Sequence, residues 1–272
     1  MARIGTRRGN EGINRLARII ALVNQKGGVG KSTTAVNLGA ALAVLGQRVL
    51  VVDADPQGNA TTGLGIAKAQ LERDVYDVLL QEASIEDVAV ATEVDGLWVV
   101  PATINLAGAE IELVSAMSRE TRLRQAILPI ADRYDFVLID CPPSLGLLTI
   151  NALTAAQECL IPVQAEYYAL EGLSQLTGVV ARVREALNPS LRVSGVLVTM
   201  FDGRTRLAAE VFEELVKFFP EQMFKTQIPR NVRISEAPSF GKPVILFDAK
   251  SRGAQAYLAL AREVLEPLGA RA

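Results

Sequence analysis

Residues 24–34, Asn-Gln-Lys-Gly-Gly-Val-Gly-Lys-Ser-Thr-Thr, constrain this chain more than any other stretch. The apolar run Ile19 to Val23 precedes them, and a helical pattern from Ala35 to Leu45 follows. Strand, Gly-rich turn and helix in that order form a phosphate-binding loop. Glycines let backbone N–H groups converge on phosphate oxygens with no Cβ in the way, and the helix start adds its partial positive charge. On this reading Gly27, Gly28, Val29, Gly30, Lys31, Ser32 and Thr33 cradle phosphate. Lys31 reaches the β- and γ-phosphates, and the Ser32 hydroxyl ligates Mg²⁺. The ordinary G-x-x-x-x-G-K-[ST] pattern fails all the same. Gln25 stands where its first glycine belongs, and a second lysine, Lys26, follows.

The rest of the chain alternates strand and helix patterns. Strands are expected at 48–52, 97–101, 136–140, 159–163, 193–199 and 224–228. Helices are expected at 75–81, 85–89, 105–115, 119–133, 145–156, 170–187, 207–219 and 254–265. The Gly- and Thr-rich stretch to Gly65 and the segment Arg230 to Lys242 read as loops. Repeated βα alternation predicts an α/β fold, a mostly parallel central sheet with helices on both faces. Residues 1–17 carry Arg3, Arg7, Arg8 and Arg15 with little periodicity and read as a flexible basic extension. Residues 18–272 read as a single P-loop domain.

Ligands of such a sheet gather at the C-terminal ends of the strands. The loop at 24–34, the pair Asp53/Asp55 and the strand-ending Asp140 all fall there. Asp140 closes a continuous apolar strand, the position of a Walker B acid that holds Mg²⁺. A carboxylate near the γ-phosphate can orient the attacking water, and phosphoryl transfer needs positioning more than a strong base. The pair Asp53/Asp55 offers two such carboxylates.

Composition narrows the chemistry. The 272 residues include no histidine and two cysteines, Cys141 and Cys159, so a His/Cys metal site and a His base are excluded. A disulfide framework is not expected, and a reducing cytoplasm is. Neither a signal-peptide core nor an apolar run near the length of a membrane span is expected. Net charge is −2, yet residues 225–252 hold six basic side chains against two acidic ones.

The loop resembles the deviant Walker A loop, K-G-G-x-G-K-[ST], of the ParA/MinD group of ATPases. The resemblance continues through Asp53–Asn59, Pro101–Thr103, Leu106–Glu110, Ile139–Ser144, Gln164–Gly172, Ile228–Arg233 and Ser235–Lys242, and these look like the chromosomal ParA/Soj subfamily. It implies slow ATP hydrolysis coupled to homodimerisation and to nonspecific binding of double-stranded DNA. A ParB/Spo0J-like protein is the implied partner, and the location is cytoplasmic and nucleoid-associated. By the same resemblance Lys26 reaches the partner subunit's nucleotide, and Asp55 carries the water-orienting role. Pro229 and Asn231 line the adenine pocket, and Arg204 and Arg233 contact DNA with nearby Lys242. No N-K-x-D guanine signature is present, which favours ATP over GTP.

Three rivals use the same loop. A MinD-like membrane-cycling ATPase needs a basic amphipathic C-terminal helix, and Glu263, Glu266 and Pro267 argue against stable membrane binding. An iron–sulfur ATPase needs ligating cysteines, whereas Cys141 and Cys159 read as small buried apolar residues. A small-molecule kinase or amidoligase needs an acceptor pocket for which the sequence offers no motif.

Overall fold

Strands apolar at every position need cover on both faces, and helices supply it here. The computed structural model describes residues 17–166 and 169–266. The expected extension at 1–16 and the tail at 267–272, on which the argument about membrane binding drew, lie outside the described residues.

Seven strands form one sheet: β1 (Arg18–Leu22), β2 (Val49–Asp53), β3 (Val90–Ala91), β4 (Leu97–Val100), β5 (Phe136–Asp140), β6 (Glu158–Gln164) and β7 (Arg192–Thr199). Their order is β3-β4-β2-β5-β1-β6-β7, parallel throughout except for the short antiparallel edge pair β3–β4. All five residues of β2 and of β5 are buried. Alternate residues feed opposite cores, as the period-2 geometry of a strand requires. Ile19, Leu50, Val137 and Ile139 enter one core, and Ile20, Val51, Phe136 and Leu138 the other.

The helices are α1 (Lys31–Val44), α2 (Asn59–Gly63), α3 (Val75–Leu80), α4 (Ile85–Val88), α5 (Leu106–Glu112), α6 (Arg122–Ile127), α7 (Leu147–Ala155), α8 (Ala169–Ala186), α9 (Arg206–Phe218), α10 (Val232–Glu236), α11 (Val244–Phe247) and α12 (Arg252–Leu265). Helices α1 and α12 pack together over one face, where Leu38, Leu42, Tyr257 and Leu260 are fully buried. Helices α3 and α5–α9 cover the other, with Val78, Leu106, Leu123, Leu148, Leu176 and Leu215 in its core.

Four expectations change. The stretch to Gly65 contains α2, whose early N–H at Thr61 is accepted by the Asp53 carboxylate over 2.8 Å, so a strand-end acid caps the helix. Residues 230–242 hold α10 and a 3₁₀ turn at Ala237–Phe240. Residues 224–228 run beside β7 but form no regular strand. The N–H groups of Lys225 and Thr226 donate to the Glu263 carboxylate of α12 over 2.7 and 3.1 Å, and only isolated bridges remain on either side. The helix expected over 119–133 is a 3₁₀ turn at Arg119–Thr121, then α6, then a 3₁₀ turn at Leu128–Ile130. Pro129 lacks the N–H that a continuing helix would use.

Candidate active site

The loop between β1 and α1 turns at two glycines in the left-handed region, Gly28 (φ 75°) and Gly30 (φ 88°). Its entry is tied by Asn24, whose amide donates to the Pro162 carbonyl over 2.7 Å while its side-chain oxygen accepts the Lys26 N–H over 2.9 Å. Its exit is tied by the Thr199 hydroxyl, which donates to the Val29 carbonyl over 2.7 Å. The loop, Asp55, Asn37, Thr62, Met200, Pro238 and Lys242 enclose a cavity of about 450 Å³, within the range of small-ligand sites.

The two loop lysines are placed oppositely. Lys31 is buried, and its ammonium donates to the Lys26 carbonyl over 3.3 Å. Burial lowers its pKa, while the charges of Asp140 and Asp55 oppose that shift. Lys26 is 41 % exposed and turned outward, 2.5 Å from Glu166 beyond β6. Lys31 therefore serves its own cavity, and Lys26 stands at the rim.

Asp53 and Asp140 sit side by side in the β2–β5 register. The Asp53 carboxylate accepts the Thr61 hydroxyl over 2.7 Å and the Asp55 N–H over 3.3 Å. Burial nevertheless pushes its pKa up to about 6. The Thr61 hydroxyl in turn accepts the Ala102 N–H over 2.9 Å, so one buried threonine joins the ends of β2 and β4. Asp55 lines the cavity and accepts the Gln57 N–H over 2.9 Å, a bond that fixes its side chain beside the loop. Lys68 donates to the Gln57 carbonyl over 2.5 Å and braces the same turn. Gly58 follows at φ 59°, where a Cβ would lie 2.5 Å from the Ala102 carbonyl oxygen, so only glycine fits.

Asp140 supplies the test for a cation. Both its carboxylate oxygens are buried with no hydrogen-bond partner. Burial raises its pKa well above its ordinary value and the Asp53 charge adds to this, while the nearby Ser32 side chain opposes the shift. An unsatisfied buried acid costs stability unless something pairs with it. Ser32 beside it offers one further oxygen. Among the described residues no group of three or more His, Cys, Asp or Glu forms a metal cage. A shared Ser32–Asp140 corner fits Mg²⁺, which is usually held by one or two protein oxygens, waters and phosphate.

The remaining sequence candidates are dispersed. Lys242 lines the cavity and pairs with Glu93 at 2.9 Å. Pro229 lines a separate groove of about 850 Å³ with Arg204, Arg230 and Arg252. Asn231 caps α10 by accepting the Arg233 N–H over 2.9 Å. The two hollows adjoin at consecutive residues, Met200 lining the first and Phe201 the second. Arg204 is bonded to Asp202 at 2.7 Å, and Arg233 to Glu236 at 2.9 Å and Asp248 at 3.4 Å. Glu166, Thr199, Met200 and Lys68 escaped the sequence reading as site residues, the first three because they reach the loop from segments more than a hundred residues away. The two cysteines are buried thiols, Cys159 with a pKa pushed up to about 12 by burial and Cys141 likewise raised well above its ordinary value, so neither is a ready cluster ligand.

Strand, glycine loop with two lysines, helix start and acids at the neighbouring strand ends define a P-loop nucleotide-binding protein of the deviant Walker A type. Comparison with known proteins narrows the class. An AAA domain family model matches residues 17–193. The chain is 61 % identical over 249 residues to sporulation initiation inhibitor protein Soj of Bacillus subtilis (strain 168), covering 92 % of this chain and 98 % of that protein. It is 54 % identical over 259 residues to chromosome partitioning protein ParA of Myxococcus xanthus (strain DK1622), covering 95 % and 92 %. Among solved structures, cobyrinic acid a,c-diamide synthase from Mycobacterium smegmatis with bound ADP and magnesium superposes with a TM-score of 0.82 at 38 % identity, over 92 % of this chain and 94 % of that one. The cell division ATPase MinD of Pyrococcus furiosus superposes with a TM-score of 0.75 at 28 % identity, over 92 % and 98 %. The chain belongs to the Soj/ParA family of chromosome-partitioning ATPases.

Proposed function

We propose that this chain binds ATP with Mg²⁺, dimerises in that state, holds double-stranded DNA without sequence preference, and lets go after hydrolysis to ADP and phosphate. A ParB/Spo0J-like partner accelerates that hydrolysis. The observation that carries the reading is the opposed placement of the loop lysines: Lys31 is buried over its own loop, and Lys26 is half-exposed at the rim, where a second subunit's phosphates would come within reach.

The residues divide the work. Backbone N–H groups from Gly27 to Thr33, with the Lys31 ammonium, hold the phosphates. The base extends past Met200 toward Pro229 and Asn231. Ser32 and Asp140 hold the cation, which when bound neutralises charge on the phosphate oxygens. Asp55, fixed by the Gln57 N–H and by the brace from Lys68, orients the attacking water. Lys26 leaves Glu166 and donates to the partner's phosphates, the part that an arginine finger plays in related enzymes. Exposed Arg204 and Arg233, with Lys242, exchange their present carboxylates for DNA phosphates.

The membrane-cycling rival loses support. No helix among the described residues is long and apolar enough to cross a membrane. Helix α12 spends its apolar side on the core, where Tyr257, Leu260 and Val264 are buried, and so offers no apolar face to a membrane surface.

The test is gel filtration with and without ATP and DNA on wild type and Asp55→Ala. Removing Asp55 leaves Lys31, Ser32 and Asp140 in place, so a long-lived ATP dimer that retains DNA is expected. Turnover is expected to fall at least a hundredfold, within the range for loss of a positioning group. Wild-type turnover in Asp55→Ala would move the role to another acid. ATP turnover that requires an added acceptor molecule would favour an amidoligase or kinase over a partition ATPase.

A further inference from the structure

Thr199 closes β7 and stands 170 positions from Val29 in the chain, yet its hydroxyl donates to the Val29 carbonyl over 2.7 Å. Thr199 is 2 % exposed and Val29 is 1 % exposed, so the bond lies behind the loop, away from solvent. The Val29–Gly30 peptide is trans, so its N–H points opposite to its C=O. Holding the carbonyl at the back therefore aims the Gly30 amide at the front. Gly30 lines the cavity, and its amide has no protein acceptor among the described residues.

The Gly30 carbonyl beyond it accepts the Thr34 N–H over 2.8 Å, and for the Val29–Gly30 peptide itself the hydrogen bond present is the one from Thr199. Gly30 lies at φ 88°, and glycine also populates the opposite sign of φ with ease. A free loop could rotate this peptide and turn an oxygen, which repels phosphate, toward the ligand. The Thr199 side chain also backs the turn directly: a Cβ on Gly30 would meet its methyl carbon at 3.7 Å, ordinary van der Waals contact. The following residue, Met200, adopts a left-handed φ of 49° and lines the cavity. That sharp corner leaves the Thr199 hydroxyl under the loop and Met200 beside the ligand.

We propose that Thr199 is a positioning residue of the nucleotide site: it holds the Val29 carbonyl and thereby presents the Gly30 N–H to the bound phosphates. The inference rests on the cavity being the nucleotide site. The contact is made to phosphates present in both ATP and ADP, so its loss weakens both ligands alike. Losing an interaction shared by ground and transition states raises KM and leaves kcat nearly unchanged.

The experiment compares Thr199→Val, which keeps the shape and removes the hydroxyl, with Thr199→Ser, which keeps the hydroxyl and removes a methyl. ATP and ADP affinities are measured by calorimetry, KM and kcat by phosphate release, and melting temperature without nucleotide. For Thr199→Val the expected result is an affinity loss of about tenfold for both nucleotides, the size of one misdirected hydrogen bond to a charged group. KM should rise by the same factor and kcat change less than twofold, while Thr199→Ser stays within threefold of wild type. Equal losses in the Ser and Val variants would overturn the proposal, because packing and not the hydroxyl would then matter. So would wild-type affinity in Thr199→Val, or a fall in kcat at unchanged KM. If Thr199→Val does not fold, Thr199→Ala, which also removes the hydroxyl, is judged by the same readouts. Wild-type protein that binds neither nucleotide would instead refute the functional reading beneath it.

Discussion

Gly65→Ala tests how the 237–242 segment is fastened to the nucleotide cavity. Gly65 follows α2 at φ 81°, and a Cβ there would stand 2.8 Å from the Gly241 carbonyl oxygen. Gly241 is also left-handed, at φ 63°, and its own Cβ would stand 2.9 Å from the Gly65 Cα. The two backbones touch with no side chain between them. Alanine in the left-handed region costs about 1–2 kcal/mol. Forcing the backbones apart adds about 1–3 kcal/mol by the usual cost of overpacking. The total, about 2–5 kcal/mol, is a large share of a typical stability of roughly 5–15 kcal/mol. At 3 kcal/mol and about 2–4 °C per kcal/mol, the melting temperature should fall by roughly 6–12 °C. Gly178 is the matched control. It lies within α8 with nothing within 4 Å of its would-be Cβ, so Gly178→Ala should stabilise by about 0.5–1 kcal/mol. The assay is urea unfolding of both variants, with ADP affinity read alongside. Displacing the 237–242 segment moves Pro238 and Lys242 off the cavity wall, so Gly65→Ala should also bind ADP more weakly. A midpoint for Gly65→Ala at or above that of wild type would refute the reasoning, since neither the left-handed cost nor the backbone clash could then be real.

Lys26→Ala should bind ATP near normally, because Lys31 and the loop amides remain, but stay monomeric by light scattering and fail to release phosphate; an ATP-dependent dimer with normal turnover would refute the trans role. For DNA, log affinity should fall with log salt by about 0.9 per phosphate contact, and Arg233→Ala removes two contacts from a symmetric dimer, so the slope should shrink by roughly 1.8 on two unrelated duplexes alike. An unchanged slope would leave Arg233 as the partner of Glu236 and Asp248 that it is in the structure.

The sequence by itself determined the loop, its flanking strand and helix, and the acids at the ends of β2 and β5. Each is a local pattern: glycines where backbone must approach a ligand, an apolar run long enough for a buried strand, a carboxylate one step beyond it. The parallel sheet followed from the βα alternation, because parallel neighbours need crossover connections. Tertiary structure alone decided how these parts are held. Side chains paired with Lys26 and Val29 lie 140 and 170 residues away, at Glu166 and Thr199, and no spacing rule links residues so far apart. Helix α2 was hidden because Asn59-Ala60-Thr61-Thr62-Gly63 has loop composition, and its cap comes from Asp53 in the preceding strand. The strand pattern at 224–228 was genuine but lost to Glu263, whose carboxylate takes the N–H groups a ladder would have used. Local propensity proposes partners for each backbone group, and the packed chain selects among them by which donors and acceptors it brings within 3 Å of one another.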